Sequence, residues 1–216
     1  MIYLDSAATS LHRPKTVSAA VTASILKHAG YARSGHKAAS AAAESVYACR
    51  VLAAELFNVK KEENVVFCFN ASHALNIAIR GLSPEKGKIL ISGYEHNAVL
   101  RPAKYTGTEV GIAQSKLFDT EGAYLAFKKE LERGGVGLVV CSMVSNVFGN
   151  ILPTRSIGNL CKDYGIPFII DASQAAGSIA IDAEKENADV ICMPGHKGLM
   201  GPTGTGIMLL CSERLP

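Results

Sequence analysis

Short apolar runs alternate along the chain with longer segments in which apolar residues recur every three or four positions. The short runs predict buried β-strands at residues 64–69, 88–92, 109–113, 136–142, 166–170, 188–193 and 205–211. The longer segments predict amphipathic helices at residues 14–28, 38–57, 72–80, 97–104, 122–133 and 155–164. In the second of these helices the periodicity is regular, with apolar side chains at steps of four, three, four and three residues: Ala42, Val46, Cys49, Ala53 and Leu56.

This alternation of strands and helices predicts an α/β fold. The strands are apolar almost without interruption, which is typical of a mostly parallel sheet covered by helices on both faces. We expect Thr154 to cap the helix that follows it. In such sheets, ligands bind beyond the carboxyl ends of the strands.

Composition narrows the class of protein. Apolar residues make up 48% of the 216 residues, enough for a sizeable core, and the formal charge is only +3. We find no Lys/Arg cluster typical of nucleic-acid binding. No apolar run approaches the ~18 residues of a membrane span, and no basic region precedes the apolar N-terminus as in a signal peptide. We therefore expect neither a nucleic-acid nor a membrane partner.

The six cysteines are scattered, and no two have the Cys-x-x-Cys spacing of a zinc or redox motif. Four of them lie in or beside predicted strands: Cys68, Cys141, Cys192 and Cys211. We expect buried, reduced thiols that act as small apolar side chains. Free thiols favour a cytoplasmic location, and no metal site is predicted.

Polar residues follow five of the predicted strands. They are Asn70-Ala71-Ser72, His96, Ser145-Asn146, Asp171 and Lys197. Because the carboxyl ends of parallel strands meet at one edge of the sheet, these five positions predict a single site at that edge.

A lysine and an acid at two strand ends indicate one chemistry above others. Lys197 can form a Schiff base with pyridoxal 5'-phosphate, and Asp171 can hold the pyridine nitrogen protonated. Such a lysine must become neutral, so burial or cationic neighbours must lower its pKa from about 10.4. Each residue also has a structural alternative. Lys197 could be an ordinary lysine of a surface loop, and Asp171 could cap a helix at residues 173–177.

Three further positions fit the same ligand. Gln174 lies one turn after Asp171, where its amide can reach the hydroxyl oxygen of the ring. Ala71 and Ser72 lie at the N-terminus of a predicted helix, where the free N–H groups and the helix dipole form a phosphate-binding site. His96 can stack on a flat ring or carry a proton, although a lone histidine is often structural. The Gly-x-x-Gly-x-Gly run at 201–206 precedes a strand and is not a nucleotide loop.

Six sequence blocks resemble the cysteine desulfurases, a group within the class V aminotransferases of fold type I. The blocks occur in the family's order and are Leu4-Asp5-Ser6-Ala7-Ala8-Thr9, Asn70-Ala71-Ser72-His73-Ala74-Leu75-Asn76, Glu95-His96-Asn97, Ser145-Asn146-Val147-Phe148-Gly149, Asp171-Ala172-Ser173-Gln174 and Gly195-His196-Lys197. The resemblance covers essentially the whole chain. It implies a three-layer fold in which residues 1–216 form the large, cofactor-binding domain.

The resemblance also implies roles around the ring of pyridoxal 5'-phosphate. Lys197 would hold the cofactor covalently and shuttle protons. Asp171 would pair with the pyridine nitrogen, and Gln174 would bind the ring oxygen. His96 would stack on the ring and assist acid–base steps. Asn146 would lie near the ring and the substrate carboxylate.

At the phosphate end, the resemblance implies that Ala71, Ser72 and His196 bind the phosphate group. Family members usually carry Ser or Thr two residues before the His-Lys pair, where its hydroxyl also contacts the phosphate. This chain has Pro194, which offers neither a hydroxyl nor an N–H. We therefore expect a weaker affinity for the cofactor.

Family enzymes are homodimers with active sites near the subunit interface. The resemblance therefore implies that residues 1–35 of this chain pack at the active site or at that interface. Family enzymes also continue into a smaller C-terminal domain, which carries the nucleophilic cysteine and an arginine that clamps the substrate carboxylate. None of the six cysteines matches the nucleophile position. We expect the small domain to be absent and the chain to be truncated or a fragment.

The leading hypothesis is a pyridoxal-phosphate-dependent enzyme of the cysteine desulfurase type. In its full-length form it would convert L-cysteine to L-alanine, leave the sulfur as an enzyme persulfide and pass it to an acceptor protein. Two alternatives stay open. One is another class V reaction, such as transamination or a lyase step. The other is a non-catalytic remnant that binds the cofactor or dimerises.

Overall fold

A computed structural model describes residues 2–213 and residue 215. In these residues the strands are β1 (Val65–Cys68), β2 (Lys88–Ser92), β3 (Val110–Ala113), β4 (Val136–Ser142), β5 (Phe168–Asp171), β6 (Val190–Pro194) and β7 (Gly206–Leu210). The helices are α1 (Lys15–Lys27), α2 (Lys37–Phe57), α3 (Ala71–Gly81), α4 (Asn97–Tyr105), α5 (Thr120–Glu132), α6 (Thr154–Asp163) and α7 (Ala183–Glu186). A short 3-10 helix, Glu62–Asn64, precedes β1.

The described strands form one sheet in the order β1-β7-β6-β5-β4-β2-β3. Strands β2 to β6 pair in parallel, and β7 pairs antiparallel with both β6 and β1. Strand β1 therefore runs in the same direction as β2 to β6. The predicted mostly parallel sheet is confirmed, and the carboxyl ends of six strands lie at one edge.

Successive residues of each strand pack into two separate cores. In β4, Val139 and Cys141 belong to the core shared with α2, α5, α6 and α7, whereas Leu138 and Val140 belong to the core shared with α3 and α4. This alternation follows from the two-residue period of a strand, which points neighbouring side chains to opposite faces. The predicted three-layer architecture is confirmed.

Two local differences from the sequence prediction have physical reasons. Thr154 is the first residue of α6 rather than its cap, and its Oγ1 donates to Glu186 Oε2 at 2.7 Å. The four-residue helix α7 is missing from the prediction because it is too short to show periodicity. Asp182 Oδ1 accepts from the N–H of Lys185 at its start, and Asn187 ends it in the left-handed conformation.

The cysteines follow the predicted pattern in most cases. Cys68, Cys141 and Cys192 are buried free thiols and Cys161 is also buried, whereas Cys49 is exposed and Cys211 is half-buried. Burial raises the pKa of Cys141 and Cys192 well above the ordinary value. Among helices in the described part of the chain, none combines the length and apolar character needed to cross a membrane.

Candidate active site

A cavity of about 240 Å³ opens at the carboxyl edge of the sheet. Its lining residues are Ala8, Asn70, Ala71, Ser72, His96, Ala98, Ser142, Val144, Asn146, Asp171, Ser173, Gln174, Pro194, His196 and Lys197. All eight residues that the sequence proposed for a site are among them, although their individual roles stay predictions. A larger groove of about 770 Å³, near Asn58 and Cys211, contains none of the eight.

Lys197 follows β6 and projects into this cavity, where it is half-buried. Burial lowers the pKa of its amine, and the negative charge of Asp171 partly opposes that shift. A lowered pKa increases the fraction of neutral amine, which is the nucleophilic form. The direction of this shift matches the requirement stated from the sequence.

Asp171 is the last residue of β5 and is only 4% exposed. Its Oδ1 accepts a hydrogen bond from the N–H of Ser173 at 2.9 Å. Burial raises the pKa of Asp171, while Ser173, Lys197 and His96 act in the opposite direction. No ion pair among the described residues includes Asp171. The carboxylate therefore lies at the cavity within the influence of Lys197 but without a direct ion pair.

The alternative role of Asp171 as a helix cap is only partly realised. Residues 173–178 form turns and not a helix, and the contact to Ser173 closes the first of these turns. The cavity position and the local turn contact are therefore compatible.

His96 is the N-cap residue of α4 and also lines the cavity. Its Nδ1 accepts from the N–H of Ala98 at 3.0 Å, so a neutral ring carries its proton on Nε2. The exposed ring is thus held at one nitrogen by the helix. The helix-capping contact of His96 is established, and it leaves the proposed role of the ring in the cavity open as a prediction.

Ala71 and Ser72 lie in the first turn of α3, where N–H groups have no acceptor within the helix. Asn70 Oδ1 caps the helix by accepting from the N–H of His73 at 2.8 Å. Gly206 of β7 packs closely against Asn70, since a Cβ atom there would lie 2.7 Å from the carbonyl carbon of Asn70. This contact fixes the start of α3 relative to β7.

Part of the N-terminal segment contacts the loop that carries Lys197. Ser10 donates through its N–H to the carbonyl of His196 at 3.0 Å and through Oγ to that of Lys197 at 2.7 Å. Arg13 Nε donates to the carbonyl of Gly201 at 2.9 Å. These contacts bring residues 10–13 to the loop, whereas the proposed place of residues 1–35 at a dimer interface stays a prediction.

The same segment also contacts two of the proposed ligand-binding side chains. His196 Nδ1 lies 3.0 Å from Thr9 Oγ1, and Gln174 Nε2 donates to the carbonyl of Ala7 at 3.0 Å. Burial, Lys197 and Arg13 lower the pKa of His196. The N-terminal residues therefore orient two side chains at the cavity, and the sequence did not predict which side chains these are.

Gly198 allows the Lys197 loop to lie against the turn at Ala176 to Ser178. A Cβ atom at Gly198 would overlap the carbonyl oxygen of Ala176. We expect Gly198→Ala to destabilise the protein by about 1–3 kcal/mol, because the loop must move away. Urea unfolding measures this loss, and Gly35→Ala, where a Cβ meets open space, is the matched control. Equal stability of the two variants would contradict the close packing of the loop.

Glu95 belongs to one of the six sequence blocks but is not among the residues that the sequence predicts for the site. Its Oε1 accepts from Ser92 Oγ at 2.5 Å and from the N–H of Ser142 at 2.8 Å, and its Oε2 accepts from Ser142 Oγ at 2.7 Å. Desolvation raises the pKa of Glu95 to about 7, although these hydrogen bonds act against the shift. The sequence feature that could have identified Glu95 is an acidic residue directly before His96, shortly after the end of a strand.

The raised pKa of Glu95 makes stability depend on pH. Its contribution is fully present below the ordinary value of 4.5 and is lost as pH rises to about 7. The side chain in Glu95→Gln stays neutral at every pH. The free energy of unfolding of this variant, relative to that of the parent, should therefore increase by at most about 3 kcal/mol from pH 4.5 to pH 8. Urea unfolding at both pH values measures the gain, with the exposed Glu132→Gln as control. A constant difference between parent and variant would rule out this titration.

The sheet, its two helical layers and the lysine and aspartate at the carboxyl edge define the large domain of a fold type I transferase. The sequence matches the Aminotransferase class-V family over residues 2–215. It is 34% identical to a probable cysteine desulfurase from Pyrococcus abyssi, over 99% of this chain and 54% of that protein. It is also 34% identical to the cysteine desulfurase IscS from Shewanella denitrificans, over 96% of this chain and 52% of that protein.

A solved structure agrees with these sequence matches. The apo structure of a cysteine desulfurase from Thermococcus onnurineus NA1 superposes with a TM-score of 0.86 at 32% identity, over 98% of this chain and 54% of that one. The chain therefore belongs to the aminotransferase class-V family, as its motifs indicated. It spans about half the length of the curated relatives it matches.

Proposed function

We propose that the chain binds pyridoxal 5'-phosphate in the cavity and forms the large domain of a cysteine desulfurase. In the full-length form, the substrate is L-cysteine and the products are L-alanine and an enzyme persulfide. One observation carries this proposal: eight side chains chosen from separate sequence blocks line a single cavity. The similarity to proteins named as cysteine desulfurases supports the choice of reaction.

The charges in the cavity fit this cofactor. A half-buried lysine with a lowered pKa favours attack on an aldehyde, and Lys197 has both properties. Asp171 is a buried acid outside any ion pair of the described residues, so a protonated ring nitrogen would provide a direct counter-charge. When bound, the pyridine ring supplies an electron sink for the carbanion formed from an amino acid.

The remaining residues would bind and orient the cofactor. The N–H groups of Ala71 and Ser72 suit a phosphate group, because they open a helix whose dipole favours an anion. His196 would contact the same group. His96, fixed at Nδ1, would stack on the ring and move a proton through Nε2.

Two amide side chains complete the proposed assignment. Gln174 donates from Nε2 to Ala7 and would direct its other donor to the ring oxygen. Asn146 is exposed at the mouth of the cavity, where it would contact the ring and the substrate carboxylate. Both side chains lie outside the two hydrophobic cores, so packing does not fix their positions.

Pro194 ends β6 and lines the cavity without offering a donor. We expect Pro194→Ser to bind pyridoxal phosphate roughly tenfold more tightly, because a hydroxyl there adds a hydrogen bond to a charged group. Fluorescence titration with the cofactor measures the change. Pro202→Ser, outside the cavity lining, is the matched control. Unchanged affinity in Pro194→Ser would show that position 194 does not face the phosphate.

We further propose a cytoplasmic homodimer that delivers sulfur to an acceptor protein. Helix α1 supports a dimer, because its Ile25 and Leu26 are 77% and 76% exposed although both are large and apolar. The free thiols fit a reducing compartment. Analytical ultracentrifugation of the chain tests the dimer, and a monomer at micromolar concentration would contradict it.

The reaction class is tested by adding amino acids to the desalted, cofactor-loaded chain. We expect its visible absorbance band to change with L-cysteine and much less with L-serine or L-alanine. An equal response to several amino acids would instead support another class V reaction. A band that is retained but responds to no amino acid would support a non-catalytic remnant. Exposed Lys162→Ala serves as a loaded control for the absorbance measurement.

A further inference from the structure

The carboxylate of Glu95 joins the ends of two neighbouring strands. It accepts one hydrogen bond from Ser92 at the end of β2 and two from Ser142 at the end of β4. Both serines are buried, at 2% and 3% exposed. A carboxylate that receives three donors from two strands is held firmly in one place.

This anchored carboxylate lies between two proposed ligand-binding residues. Glu95 directly precedes His96 in the loop from β2 to α4. On the other side, Ser142 pairs in register with Asp171 of β5 and itself lines the cavity. The two acids are also close enough to interact, since the negative charge of Asp171 contributes to the raised pKa of Glu95.

We propose that Glu95 is a positioning residue for the cofactor reaction. It holds the loop that carries His96 against β4, and its charge strengthens the negative field around Asp171. The proposal rests on the proposed function, because His96 and Asp171 act in this way only on bound pyridoxal phosphate. Glu95 itself does not line the cavity, so it acts through these two residues.

The two parts of this role are separated by two substitutions. Glu95→Asp keeps the charge but is one methylene shorter, so it cannot reach both Ser92 and Ser142 without pulling the loop inward. Glu95→Gln keeps the shape and removes the charge, and Ser142 Oγ can reverse its hydrogen bond to accept from the amide. The first variant should therefore displace His96, whereas the second should change only the field at Asp171.

The first readout uses the chain without cofactor. In protein with ¹³C-labelled histidine rings, we expect Glu95→Asp and Glu95→Ala to shift or broaden the ring resonance of His96, and Glu95→Gln to leave it near its place. The matched control is Glu186→Gln, a buried carboxylate that accepts from Thr154 and lies outside the cavity lining. An unchanged His96 resonance in folded Glu95→Asp and Glu95→Ala would overturn the positioning role.

The second readout uses bound pyridoxal phosphate. We expect roughly tenfold weaker binding in Glu95→Asp and a displaced visible band in Glu95→Gln. A parent-like band in folded Glu95→Gln would overturn the electrostatic part. If the parent retains no cofactor, the proposed function fails, yet the His96 resonance still decides whether Glu95 positions the loop. If the shorter variants fail to fold, Glu95→Gln still decides the electrostatic part of the proposal.

Discussion

Replacing Lys197 with alanine should abolish retention of pyridoxal phosphate through desalting while the protein stays folded. The amine is the only part of this side chain that the proposal requires, and a covalent bond to it is what would survive gel filtration. Losing a half-buried cation with a lowered pKa should not harm the fold, because its desolvation cost disappears with it. Absorbance of the desalted protein and its circular dichroism measure the two effects.

The lysine substitution needs a control for general loss of charge. Lys162 is exposed on α6, away from the cavity, so Lys162→Ala should retain the cofactor like the parent. Equal retention by Lys197→Ala and the parent would show that another group holds the cofactor. Such a result would remove Lys197 from the proposed site.

Asp171→Asn should have two opposite effects. Burial raises the pKa of Asp171, so its favourable contribution is fully present below the ordinary pKa of 3.8 and is lost as pH rises through the folded-state value. At neutral pH the neutral amide should therefore stabilise the cofactor-free protein. Cofactor affinity should fall by about 10²- to 10⁴-fold, because the ring nitrogen loses a buried partner worth about 3–5 kcal/mol.

The two effects are measured on the same sample. Thermal unfolding without cofactor reports the stability, and fluorescence titration with pyridoxal phosphate reports the affinity. Asp163→Asn on the surface of α6 is the control, and both quantities should match the parent. A destabilised Asp171→Asn with parent-like affinity would mean that this acid serves the fold and not the cofactor.

The edge of the sheet could be predicted from the sequence because parallel strands impose a simple rule. Apolar runs ended before Asn70, His96, Asp171 and Lys197, and the shared direction of β1, β2, β5 and β6 places all four residues at one edge. The rule needs only the strand ends and the direction of the strands. It does not depend on the details of side-chain packing.

Contacts between distant parts of the chain could not be predicted from the strand ends and strand directions. The side-chain hydrogen bond of Ser10 to Lys197 spans 187 residues, and the short polar side chain gives no pattern that identifies its partner. The same holds for Glu95 and Ser142, which are 47 residues apart. Periodicity reports which face of an element is buried, whereas these contacts depend on how loops pack after the sheet has formed.

The most direct measurement is borohydride reduction of the chain after incubation with pyridoxal phosphate, followed by peptide mass spectrometry. Reduction makes a lysine–cofactor bond permanent, so the modified residue can be read from the peptide mass. We expect one pyridoxyl group per chain, on the peptide that contains Lys197. A folded chain with no modification, or with modification spread evenly over exposed lysines, would contradict a pyridoxal-phosphate site at this edge of the sheet.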